Sequence, residues 1–107
     1  MSKDFSEYQK ETRQTAIYPK DKALEYLCLG LASEAGEVAG KLKKVIRDTP
    51  EEFPKKDMIS ELGDVLWYLA RIADELDVDL SNVAQGNINK LRDRKNKGTI
   101  KGSGDNR

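Results

Sequence analysis

Histidine is absent from this 107-residue chain, and that absence excludes much of enzyme chemistry. Ser–His and Cys–His nucleophile pairs, HExxH zinc sites and the Glu-x-x-His ligands of di-iron bundles all need it. Any metal bound here is held mainly by oxygen. Cysteine occurs once, as Cys28, so neither an internal disulfide nor a multi-thiolate metal site can form. Lying among Leu24, Leu27 and Leu31, it reads as core filler. Long hydrophobic runs are missing too. Nothing approaches the ~20 apolar residues that cross a bilayer, and the start, MSKDFSEYQK, has no apolar signal-peptide core. The expectation is a soluble, cytoplasmic protein with no membrane partner.

Charge is abundant instead: Asp, Glu, Lys and Arg make up 36% of the chain, against roughly 25% in an average one. The net charge is zero, but it is unevenly placed. Residues 90–107 carry seven Lys or Arg against two Asp, so residues 1–89 carry 12 against 17. An acidic body repels a phosphate backbone, and the basic tail has no aromatic to stack on bases, so nucleic acid is not expected as a partner. Ala, Val, Ile, Leu, Met, Phe, Trp, Cys and Gly together give 44 of 107 residues, below the roughly 45–50% of globular chains. So thin a core suggests subunits that share one.

Helical periodicity fills most of the chain. Phe5, Tyr8, Thr12 and Thr15 recur at steps of three and four before Pro19 stops the run. From about Asp21 to Arg47 the stripe is Leu24, Leu27, Leu31, Ala35, Val38, Leu42 and Val45. Residues 48–56, with Pro50 and Pro54, read as a loop. A third helix follows with Ile59, Leu62, Leu66, Leu69, Ala73 and Leu76 inward. After a break at 77–80, Ser81 can cap a fourth helix whose inner side holds Ala84, Ile88 and Leu91. This predicts an all-α, antiparallel four-helix bundle-like domain over residues 1–95, with a flexible, Gly-rich, basic tail over 96–107.

Two acidic motifs carry the chemistry: Glu34-Ala-Gly-Glu37 on the second helix and Glu61-Leu-Gly-Asp64 on the third. Acids three apart point to the same side of a helix and can reach one cation. Glu37 has Lys41 at i+4, an ordinary surface pairing. Glu34, Glu61 and Asp64 have no basic residue three or four positions away. Uncompensated carboxylates this close repel one another, and a hard divalent cation with oxygen ligands answers that repulsion. Gly36 and Gly63 lie inside the motifs, where they would let the helices approach closely or are chance interruptions. Counted from the loop, the motifs are offset by about 7 Å, which the loop would have to absorb. On the fourth helix Asn87, Lys90 and Arg94 form a donor stripe suited to a polyphosphate or to solvent. Trp67 falls opposite the third helix's core stripe, where another subunit or a stacked base would cover it.

With these residues in view the chain resembles the MazG-like all-α nucleoside triphosphate pyrophosphohydrolases. E-x-x-E, 23 residues, then E-x-x-D, in the contexts SEAGEVAGKLKK and SELGDVLWYLARIADEL, carry the resemblance over about Asp4 to Arg94. It implies that Glu34, Glu37, Glu61 and Asp64 hold Mg²⁺, with Mn²⁺ as a substitute. It further implies that water attacks the α-phosphorus of a (d)NTP, giving a monophosphate and pyrophosphate in nucleotide-pool control. Glu34, which the helical wheel places as the more inward acid, is the expected base. Tyr68, Asn87, Lys90 and Arg94 match positions that meet substrate. Homodimers, or tetramers built as dimers of dimers, follow from the same resemblance. A dUTPase- or dCTPase-like preference is open, and so is a non-enzymatic helical dimerisation module with a structural cation. Lys101 and Arg107 could reach phosphate or belong to a loose tail.

Overall fold

A computed structural model describes residues 4–105. It contains four α-helices and, among the described residues, no strand: α1 Phe5–Thr12, α2 Ala23–Asp48, α3 Lys55–Glu75 and α4 Leu80–Lys97. Asp4 caps α1 by accepting from the Glu7 N–H at 2.8 Å, one of the donors a helix start leaves free. The expected first helix closes as two pieces, with a 3₁₀ turn at Arg13–Thr15. A second turn at Lys20–Lys22, entered from Pro19, leads into α2. Asp79, not Ser81, caps α4: its carboxylate accepts from the Ser81 N–H at 2.9 Å and the Ser6 hydroxyl at 2.8 Å. Gly98 ends α4 at φ 72°, a left-handed position that glycine adopts without strain. No helix among the described residues is long and apolar enough to cross a membrane.

α2 and α3 form an antiparallel hairpin, and α1 lies across α3 and α4. Two small apolar clusters hold them. Tyr18, Ala23 and Leu27 pack with Ala16, Trp67, Tyr68 and Ile72; Ala70, Ala73 and Leu80 pack with Tyr8 and Leu66. Both clusters lie at the end of the hairpin away from the 49–54 loop. Polar groups bind the same end together. Arg71, 4% exposed, donates to Asp74 at 2.8 Å, Tyr18 at 3.2 Å and Thr12 at 3.3 Å. Gln9 bridges the α3–α4 link, donating to the Val78 carbonyl at 2.9 Å and accepting from the Leu80 N–H at 2.8 Å.

Several expected core positions are exposed: Leu24 and Leu42 on α2, Ile59, Leu62 and Leu69 on α3 with Leu76 at its C-cap, and Ile88 and Leu91 on α4. The apolar stripe of α3 is real, but only its Leu66 and Ala73 are covered by the chain's own helices. Against α2, α3 presents Glu61, Tyr68 and Ile72 instead. Cys28 is exposed rather than core filler, because it falls on the outer side of α2, one step from fully buried Leu27. Trp67 is half-buried within its own chain: it meets Tyr18 edge-on at 6.3 Å and Tyr68 at 5.0 Å.

Candidate active site

The hairpin's register builds the site. Tyr68 lies over Gly30, where a Cβ would overlap ring atoms Cε1 and Cζ. Four residues further along each helix, in opposite directions, come Glu34 and Asp64. The 49–54 loop thus takes up the offset between the motifs. Carboxylate oxygens of Glu34, Glu61 and Asp64 all lie within 4.8 Å of one another. Glu37 is exposed and outside this group, beside Lys41, Lys44 and Asp57. It is a turn away from Glu34, near enough for its charge to be felt there. Close approach at Gly36 and Gly63 is not found, since a Cβ at either would meet nothing within 4 Å. Gly30 is where the missing side chain matters.

Electrostatics mark the cluster as short of positive charge. Glu34 holds its proton more tightly than an ordinary carboxyl, first through a hydrogen bond with Glu61, then through partial burial and the charges of Asp64, Glu61 and Glu37. A proton between carboxylates does there what a cation could do. Glu61 Oε2 is buried with no hydrogen-bond partner among the described residues, and Oε1 lies 3.8 Å from Lys41 Nζ. Lys41 therefore crosses the hairpin to Glu61, a pairing that i+4 arithmetic on α2 alone could not find. A buried, unpartnered carboxylate oxygen is costly unless something positive meets it.

A cleft of about 370 Å³ opens beside the acids, lined by Thr15, Glu34, Asp64, Trp67 and Tyr68. Trp67 Nε1 donates to the Thr15 hydroxyl at 2.8 Å, pinning the 3₁₀ turn as one wall. The Tyr68 phenol is kept protonated, first by burial, then by Tyr26 and by the charges of Glu34 and Asp64. Thr15 is the residue that sequence reasoning missed as part of this cleft, because only tertiary packing brings α1's exit to α3. Trp67, which the sequence offers as a possible base-stacking ring, is one of the residues lining this cleft.

Asn87 and Lys90 are exposed on α4 and do not line the cleft. Arg94 is 5% exposed and bonds to residues 104 and 105 instead. Lys101 is exposed; Arg107 lies outside the described residues.

An all-α hairpin that converges acids beside an aromatic cleft suits metal-assisted chemistry on an anionic, ring-bearing substrate. The family described as the MazG nucleotide pyrophosphohydrolase domain matches residues 22–99, and the chain belongs to it. It is also 48% identical over 109 residues to the Gene 37 protein of Mycobacterium phage L5, covering 94% of this chain and 96% of that relative. No solved structure matches the chain.

Proposed function

We propose that this chain is a Mg²⁺-dependent pyrophosphohydrolase that converts a (d)NTP and water to a (d)NMP and pyrophosphate. Deoxynucleoside triphosphates are its substrates, and nucleotide-pool control in the cytoplasm is its role. The observation that carries this reading is the convergence of Glu34, Glu61 and Asp64 within 4.8 Å in a MazG-family chain. The donor set fits a hard cation: all ligands are carboxylate oxygens, and Glu61 Oε2 is buried without a partner among the described residues. Glu34, Glu61 and Asp64 would hold Mg²⁺, joined by Glu37 from the next turn of α2; Mn²⁺, with the same preference for oxygen, substitutes. Bound there, the ion supplies charge neutralisation of the triphosphate and an acidified water.

The chain's own residues do the rest. Glu34, whose proton affinity its neighbours raise, accepts the proton of the attacking water. Trp67 and Tyr68 offer ring faces and a phenolic donor to the nucleoside, and Asn87 and Lys90, exposed on α4, supply polar groups on the phosphate side.

Self-association completes the molecule. Its accessible surface is 8169 Å², against about 6,000 Å² for a compact chain of this mass. Its radius of gyration is 16.7 Å, against about 13 Å. The excess of about 2,000 Å² is the scale of a stable interface, and a homodimer, or a tetramer of two dimers, would cover the bare stripes of α2, α3 and α4.

Hydrolysis in ¹⁸O-water tests the reaction. Label in the nucleoside monophosphate marks attack at the α-phosphorus; label in pyrophosphate, or release of orthophosphate, contradicts the proposal.

A further inference from the structure

Beyond α4 the described residues 98–105 turn back on the helix. The Thr99 N–H donates to the Arg94 carbonyl at 2.8 Å and the Gly102 N–H to the Thr99 carbonyl at 3.1 Å. Gly104, at φ 81°, makes a second left-handed turn. The returning strap ends on Arg94, whose Nη2 donates to the Gly104 carbonyl at 3.4 Å, the Asp105 carbonyl at 3.1 Å and Asp105 Oδ1 at 3.0 Å. The same Oδ1 lies 3.2 Å from Lys90 Nζ. One carboxylate oxygen thus gathers two cations that stand one helical turn apart.

These contacts divide the two cations by role. The Arg94 side chain is only 6% exposed, and two of its three acceptors are main-chain carbonyls, so it is an anchor for the strap and out of a ligand's reach while the strap is in place. The Lys90 side chain is 41% exposed. An ammonium has three N–H donors, and Asp105 takes one. Without that contact Lys90 would wave on a four-carbon stem and be repelled by Arg94. Arg94 first and Lys90 second hold the Asp105 carboxyl below its ordinary range, so the contact stays charged at neutral pH.

We propose that the C-terminal strap is a working part of the substrate site: Asp105, anchored through Arg94, is a positioning residue that holds the Lys90 ammonium ready for a polyphosphate. This rests on the reading of Lys90 as a phosphate-side cation. Arg94 accordingly acts through the strap and not on substrate.

The test uses the full chain with Asp105→Asn, Asp105→Glu, Lys90→Ala and the Lys90→Ala/Asp105→Asn double variant. The Asp105 side chain is 80% exposed, and thermal melts establish that each variant is folded. kcat and KM are measured separately with a nucleoside triphosphate, and binding of inorganic tripolyphosphate is measured by calorimetry. Asp105→Asn should raise KM about threefold or more with a smaller change in kcat, Asp105→Glu should recover most of the loss, and Asp105→Asn should add nothing once Lys90 is gone. An unchanged KM would make the strap idle, and a lowered KM would make it a competitor for the cations; either overturns the proposal. If the parent protein hydrolyses no triphosphate, the activity reading fails, and the calorimetry still decides this one. Weaker tripolyphosphate binding by Asp105→Asn upholds it, and equal or tighter binding overturns it.

Discussion

Glu61 is where the cost of the acidic cluster concentrates: one oxygen is buried with no hydrogen-bond partner among the described residues, and the other lies 3.8 Å from the Lys41 ammonium. Replacing it with Gln removes a negative charge while keeping shape and hydrogen-bonding capacity. Glu61→Gln should therefore melt no lower than the parent protein without metal, and should lose the rise in Tm that Mg²⁺ gives the parent, read by calorimetry with and without the ion. The opposite sign holds at Asp74, where Arg13 and Arg71 keep the carboxyl at about 2. A depressed carboxyl stabilises the fold above its unfolded value near 3.8, and that contribution is lost as pH falls toward 2. Asp74→Asn should cost up to about 2 kcal/mol at pH 7, limited by the exposure of Arg13, and should flatten the loss between pH 4 and 2. Urea titrations across that window measure both. Glu34, Glu61 and Asp64 were legible in the sequence because three-residue spacing and missing local cations are properties of one helix. Lys41's reach to Glu61 and Thr15's place in the cleft were not, since each depends on a second element.

At the scale of elements, the helix hairpin owes its register to Gly30. A side chain there overlaps the Tyr68 ring, and the ring cannot move without disturbing Trp67 at 5.0 Å. Gly30→Ala should cost about 1–3 kcal/mol and lower activity by misplacing Tyr68. Gly36→Ala and Gly63→Ala, with nothing within 4 Å of the added carbon, should instead stabilise the fold by about 0.5–1 kcal/mol. Thermal melts of the three variants separate these outcomes. The four helices could be read in advance because their apolar steps of three and four are long and regular. The face that α3 turns toward α2 could not. Its apolar stripe is genuine, and a helical wheel has no means of showing that Glu61, Tyr68 and Ile72 meet α2 while Ile59, Leu62 and Leu69 stay bare.

For the whole molecule, that bare stripe is the clue to assembly. The thin apolar content pointed to a shared core from composition alone, and the exposed Ile59, Leu62 and Leu76, each more than half accessible, locate where sharing would occur. Leu62→Glu should halve the mass in sedimentation equilibrium or shift it strongly toward monomer, while an unchanged mass would remove this stripe from the interface.

The central claim is metal-assisted pyrophosphohydrolysis at Glu34, Glu61 and Asp64. Its most direct measurement incubates the purified protein and Glu61→Gln with each common NTP and dNTP, with and without Mg²⁺, and quantifies monophosphate and pyrophosphate. The account predicts equal amounts of the two products, fastest from a deoxynucleoside triphosphate, only with Mg²⁺ and only with Glu61 intact. No turnover of any nucleotide, or turnover that survives Glu61→Gln, would contradict it.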